Sequence, residues 1–162
     1  MYKVAIITAS DKGYAGERED KSGSVIEEIV TAHELEVTGN VILPDDRQIL
    51  SDQMLNYCHQ GIDLILTTGG TGFSKRDVTP EATADIVERR ADNLTFAMIA
   101  NSLQYTPKAM LSRGIAGIRE NTLIVNLPGS PKAVRENLEY AIDAIIHGVK
   151  ILKGDDAECA RK

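Results

Sequence analysis

Short runs of apolar and β-branched residues punctuate the chain at 3–9 (KVAIITA), 37–43 (VTGNVIL), 62–68 (IDLILTT) and 122–127 (TLIVNL). Each has strand length, and their near-continuous apolarity predicts strands covered on both faces, as in a parallel sheet sheathed by helices. Between them, polar and apolar positions follow the helical period over 25–36, 47–60, 81–90, 94–105 and 131 to about 152. In the last, Val134, Leu138, Ala141, Ile145, Val149 and Leu152 recur at steps of three and four and form one apolar stripe. Alternating strand and helix predicts an α/β fold: one three-layer α-β-α sandwich over residues 1–153 with a mostly parallel sheet, followed by a polar tail at 154–162. The stretch GIAGIRENTLIVNL departs from this rhythm, because two β-like runs meet at Glu120-Asn121 and predict a local antiparallel hairpin.

In such a fold the loops after the carboxyl ends of the strands crowd together at the N-termini of helices, and function is expected on that rim. Helix-start signals stand in or beside these loops: Ser24 with Glu27 and Asp45 with Gln48 fit capping boxes, while Thr79-Pro80 and Ser130-Pro131 read as N-caps followed by proline. The loop TTGGTGFSKRDVTPEA adds three glycines, Gly69, Gly70 and Gly72, which permit positive φ and leave amides free for oxygen ligands. It is neither a dinucleotide fingerprint, since Lys75 stands where the third glycine belongs, nor a Walker A loop. Asp45, beside Asp46, follows the second strand and Asp77 the third, so the fold brings carboxylates from distant positions to one rim. Magnesium with a polyphosphate commonly uses one or two such groups. The competing structural roles are an N-cap for Asp45 and a salt bridge with Arg76 for Asp77. Arg76, Arg113 and Lys132 are candidate phosphate neutralisers, and Asp63 falls at the opposite end of its strand.

Composition narrows the ligand class. The 162 residues suit one domain, and the formal charge of -6 opposes attraction to nucleic acid or an anionic membrane, so an anionic small ligand must be held locally. No run approaches the roughly 20 apolar residues of a membrane span. The opening MYKVAIITA lacks the features of a signal peptide, and a cytoplasmic location is expected. Cys58 and Cys159 read as incidental, and His33, His59 and His147 have no second ligand at metal spacing.

The motifs TTGGTG, RDVTPEAT, MLSR, AGIR and LPGSP, in this order and preceded by DKSG and LPDD, closely resemble the molybdopterin adenylyltransferases of molybdenum-cofactor biosynthesis, the MogA type, over about residues 3 to 150. Ser24 departs from the pattern, since many relatives carry proline there. The resemblance implies transfer of AMP from ATP, the co-substrate, to the terminal phosphate of molybdopterin, with Mg2+ as cofactor and pyrophosphate released. Asp45 and Asp77 match the family's essential acidic positions and would serve magnesium and the nucleotide phosphates. The amides of Gly70 to Gly72 and the helix starting at Pro80 would receive the pterin phosphate, with Gly69 also on the substrate side, Thr71, Ser112 and Asn126 at the pterin end, and Gly129 and Ser130 as a second amide-rich spot. Ser10 and Asp11 would complete the nucleotide side. Turn and strand-end hydrogen bonds are the alternative roles of Thr71, Ser112 and Asn126. The resemblance further implies a homotrimer and a molybdenum-inserting partner protein. The close MoaB type shares GGTG and PGS but often departs from the full RDVTPEAT. A non-catalytic molybdopterin carrier or scaffold is the alternative, and the retained Asp45 and Asp77 favour the enzyme.

Overall fold

In the computed structural model of the chain, residues 1–155 are described, so Cys159 and most of the predicted polar tail lie outside the described residues. In chain order the elements are β1 (Lys3–Ala9), α1 (Asp11–Tyr14), α2 (Lys21–Ala32), β2 (Glu36–Leu43), α3 (Arg47–His59), β3 (Leu64–Thr68), α4 (Thr79–Ala84), β4 (Arg89–Arg90), α5 (Asp92–Ser102), a 3-10 turn (Pro107–Leu111), β5 (Ala116–Arg119), β6 (Thr122–Leu127) and α6 (Pro131–Lys153). The sheet runs β2-β1-β3-β6-β5-β4. Its first four strands are mutually parallel, while β5 and β4 extend it by antiparallel pairing. The three-layer sandwich and the hairpin are both present, the hairpin turning at Glu120 with φ of 51°.

Side-chain alternation along each strand divides the core. Val4 and Ile6 of β1 and Leu64 and Leu66 of β3 pack with Ile26, Val30, Leu138 and Ile142 of α2 and α6. Ala5, Ile7 and Ile65 point the other way, onto Leu50 and Met54 of α3 and Ala82 of α4. The edge strand β2 differs from expectation: none of its residues is fully buried, since a strand with one neighbour is only partly covered, and exposure alternates over residues 36–41 as side chains alternate between faces.

Several element boundaries also differ. Helix α2 begins at Lys21 rather than residue 25, and its N-cap is Asp20, which accepts from Gly23 N at 2.8 Å. Ser24 lies inside that helix, its Oγ donating back to Asp20 O. The helix ends at Ala32, and Glu34 at φ 61° turns the chain into β2. Helix α4 stops at Ala84, and residues 89–90 of the predicted helix form β4 instead, paired with Gly117 and Ile118. Thr79 is the first residue of α4 rather than its cap; Val78 occupies the cap position without a side-chain hydrogen bond. Helix α5 ends at Ser102, ahead of the 3-10 turn.

Strand register builds the rim. Thr8 pairs with Thr68, Thr68 with Leu127 and Ala9 with Leu43, so the parallel strands end level and release their loops together. Asp63 lies at the other end, as expected, where it accepts from Lys3 N at 2.8 Å and meets Lys153 Nζ at 2.8 Å.

Candidate functional site

The glycine loop begins where β3 ends. Gly69 and Gly70 take φ of 87° and 68°, which a side chain would strain. Neighbouring oxygens crowd the faces these glycines leave bare. A Cβ on Gly69 would strike the carbonyl of Ala9, one on Gly70 would overlap Thr79 Oγ1 and stand 3.1 Å from Asp45 Oδ1, and one on Gly72 would stand 2.9 Å from Asp77 Oδ2. Part of the bare backbone therefore accommodates the protein's own acidic groups rather than a ligand alone.

Asp45 is not the cap of α3. That role falls to Asp46, which accepts from Ile49 N at 2.9 Å. Asp45 instead exchanges bonds with Asp11: its Oδ2 accepts from Asp11 N, and its own N donates to Asp11 Oδ1, both at 3.0 Å. Arg76 holds Asp11 through Nε and Nη2 at 2.9 and 3.0 Å, so Arg76 is paired with Asp11 and not with Asp77. Asp77 Oδ2 accepts from Ser74 N at 3.1 Å. Burial raises the Asp45 carboxyl above its ordinary range; the bond from the Asp11 amide opposes that shift, and repulsion from Asp11 and Asp77 adds to it. Asp11 moves down, chiefly through its hydrogen bonds with Arg76.

Arg113 has a different role from phosphate neutralisation. Its Nε donates to Gly72 O and its Nη2 to Asp77 O, each at 2.8 Å, while Nη1 pairs with Glu81. Arg113 N also donates to Thr71 O at 2.8 Å. One half-buried guanidinium thus braces the whole glycine loop. Lys132 is exposed and borders a separate groove beside Tyr105 and Tyr140.

Two cavities open at the rim and share the wall formed by Gly70, Asp77, Gly129 and Ser130. The first, of about 580 Å³, has Thr71, Gly72, Ser112 and Asn126 at its loop end and Met98 and Ile99 of α5 along its side. The second, of about 750 Å³, is lined by Ser10, Asp45 and Gly69 together with Asp20, Arg18 and Lys21. Asp45 and Asp77 both face the second. Asp11 lines neither and reaches the site only through Asp45.

Several of these residues are already engaged. Asn126 is 3% exposed; both amide hydrogens are used, toward Thr67 and Thr83, and its Oδ1 accepts from Ile115 N. Ser10 and Ser130 cap α1 and α6, accepting from Gly13 N and Ala133 N. Ser112 Oγ accepts from Gly114 N at 3.3 Å. The loop after β6 is tied down by Thr68 and Ser22, which donate to Pro128 O and Gly129 O at 2.6 Å. Residues that sequence reasoning missed are Lys108 in the first cavity and Arg18, Asp20, Lys21 and Ser22 in the second. The signal for the last four was the charged stretch EREDKSG, which runs into the start of α2.

Among the described residues, no three His, Cys, Asp or Glu side chains gather to hold a metal. Asp45 Oδ1 is nevertheless buried without a hydrogen-bond partner, beside the loop and in the cavity that Asp77 also lines. Two hard carboxylates facing a polar cavity fit a magnesium ion that takes its other ligands from phosphate and water.

A family model described as "probable molybdopterin binding domain" matches residues 5–147. Gephyrin of Dictyostelium discoideum is 43% identical over 159 residues, 92% of this chain; the chain spans only 22% of that relative's length. The molybdopterin adenylyltransferase of Helicobacter pylori strain J99 is 38% identical over 155 residues, covering 94% of this chain and 88% of the relative. Among solved structures, the molybdopterin biosynthesis enzyme MoaB of Thermus thermophilus superposes with a TM-score of 0.90 at 42% identity, over 95% of this chain and 98% of that one.

Proposed function

The chain belongs to the molybdopterin-binding domain family, and from that premise we propose that it is an enzyme of molybdenum-cofactor biosynthesis, a molybdopterin adenylyltransferase. It moves AMP from ATP to the terminal phosphate of molybdopterin. The observation that carries this reading is the partition of the rim: a largely apolar cavity and a charged cavity meet at a wall containing Asp77 and the glycine loop. The first suits a pterin whose phosphate reaches the wall, the second a nucleotide whose phosphates reach it from the other side.

A phosphate monoester is largely ionised at neutral pH, its second pKa being near 6, so the acceptor needs no strong base. One of its oxygens attacks the α-phosphorus; a new P–O bond forms, the bond bridging the α and β phosphates breaks, and the electron pair leaves on pyrophosphate. The barrier is the approach of two polyanions, which alignment and charge compensation lower. Amides of Gly70 to Gly72 and the start of α6 after Ser130 offer donors on the pterin side, with Lys108 nearby. Arg18 and Lys21 offer charge on the nucleotide side. Magnesium, when bound, stabilises charge moving onto the leaving pyrophosphate, and Asp45 and Asp77 would hold it. Thr71 and Ser112 orient the pterin, while Asn126, with its amide engaged, supports the cavity from beneath.

We include in this reading a homotrimer, a cytoplasmic setting and hand-off to a molybdenum-inserting partner; among the described residues no helix is long and apolar enough to cross a membrane. The test is to incubate the purified protein with molybdopterin, ATP and magnesium, and follow both pyrophosphate and adenylylated pterin. Release that requires all three supports the enzyme. Tight molybdopterin binding with no pyrophosphate would replace it with a carrier or scaffold.

A further inference from the structure

The loop's inner face carries a second unsatisfied oxygen. Thr79 is fully buried at 0% exposure, yet its Oγ1 has no hydrogen-bond partner among the described residues, as is also true of Asp45 Oδ1. The two atoms border one point in space, the place a Cβ would occupy on Gly70. The rest of Thr79 is fixed: its N donates to Gly70 O at 3.1 Å, and its carbonyl accepts from Thr83 Oγ1 at 2.8 Å. Its hydroxyl is therefore delivered to this position by the backbone at the start of α4.

A buried hydroxyl without a partner lowers stability, and a valine of nearly the same shape would not incur that cost. The chemistry of the two oxygens is complementary, since an ionised carboxylate only accepts and a hydroxyl can donate. We propose that Thr79 is the positioning residue for Asp45: its hydroxyl donates to Asp45 Oδ1 when that carboxylate turns toward the cation and nucleotide phosphates. With Asp11 N on Oδ2 and Thr79 Oγ1 on Oδ1, the carboxylate plane is held from both ends, and each oxygen keeps a lone pair for the metal. The inference rests on the function proposed above for Asp45.

The test uses binding rather than turnover. Mn2+ is titrated calorimetrically into protein saturated with the α,β-methylene analogue of ATP, without molybdopterin, for wild type, Thr79→Val and Thr79→Ser, alongside thermal melts. Removing a group that orients a metal ligand typically weakens the metal about tenfold or more. Thr79→Val is expected to bind Mn2+ about tenfold more weakly with no loss of melting temperature, and Thr79→Ser to restore wild-type affinity. Wild-type affinity in Thr79→Val overturns the inference and leaves the adenylyltransferase reading standing. A lowered melting temperature in Thr79→Val, with affinity not restored by serine, makes Thr79 a structural residue and also overturns it. A wild-type protein that takes up no Mn2+ with the nucleotide analogue defeats both.

Discussion

Asp63 and Asp45 stand at opposite ends of the same parallel sheet and are treated in opposite ways. At the base, both oxygens of Asp63 are engaged, one by Lys3 N and the other by Lys153, while its backbone N bonds Lys3 O and its carbonyl accepts from Leu123 N. At the rim, Asp45 is half-buried with one oxygen unpartnered, and burial pushes its carboxyl up while Asp11 and Asp77 repel it. The base carboxylate joins β1, β3 and α6. The rim carboxylate carries a local cost that the fold does not relieve, as is characteristic of sites shaped for a ligand.

The sharpest break of this contrast is Asp77→Ala. It should abolish AMP transfer by more than about 100-fold, beyond the usual cost of removing an outer partner of a metal ligand, with the far-ultraviolet circular dichroism unchanged. Full activity in the folded variant would remove Asp77 from the site. The mirror experiment at the base, Asp63→Ala, should lower stability by about 2 kcal/mol through loss of a charged acceptor. Urea denaturation measures that loss, and activity per folded molecule should stay at the wild-type level.

Asp45→Asn should do the reverse, losing activity while gaining up to about 1 kcal/mol at neutral pH, the size of a typical trade between stability and function. The sign follows from linkage. A carboxyl raised in the native state binds its proton more tightly folded than unfolded, so it opposes folding at neutral pH and ceases to do so as pH falls through its raised value toward 3.8. The gap in melting temperature between variant and wild type should therefore close on acidification. A gap that widened would contradict the shift. The smallest effect belongs to Lys153, whose ammonium is raised first by its hydrogen bond to Asp63. Its stabilisation is complete below 10.5 and is lost as pH rises through the raised value. Lys153→Met should cost under about 1 kcal/mol for so exposed a group and flatten that alkaline decline.

Much of this arrangement was legible in the sequence because it depends on local patterns. Strand-length apolar runs, the long stripe of α6, Ser130-Pro131 and the turn at Glu120 each point to one answer. The failures arose where distant residues decide. Asp45 and Asp46 are adjacent and both suit a cap, and only the exchange with the distant Asp11 separates them. Ser24 with Glu27 satisfied the capping rule, but Asp20 prevails because it also accepts from Thr8 Oγ1 at 2.8 Å. Strand β4 was hidden in a helical pattern because its pairing is with β5, nearly 30 residues later. Arg113 and Asn126 have side chains whose fate no neighbouring residue announces. Gly72 was read as room for a ligand, and its Cα also leaves room for Asp77 Oδ2.

Arg113 joins the carbonyls of Gly72 and Asp77 in the glycine loop to the carboxylate of Glu81. The segment bearing Ser112 therefore cannot slide without dragging Gly72 and Asp77 along. The mouth of one chamber and the acid of the other form a single mechanical unit, so a bulky substituent that pries open the pterin side will be felt as misalignment where the nucleotide lies.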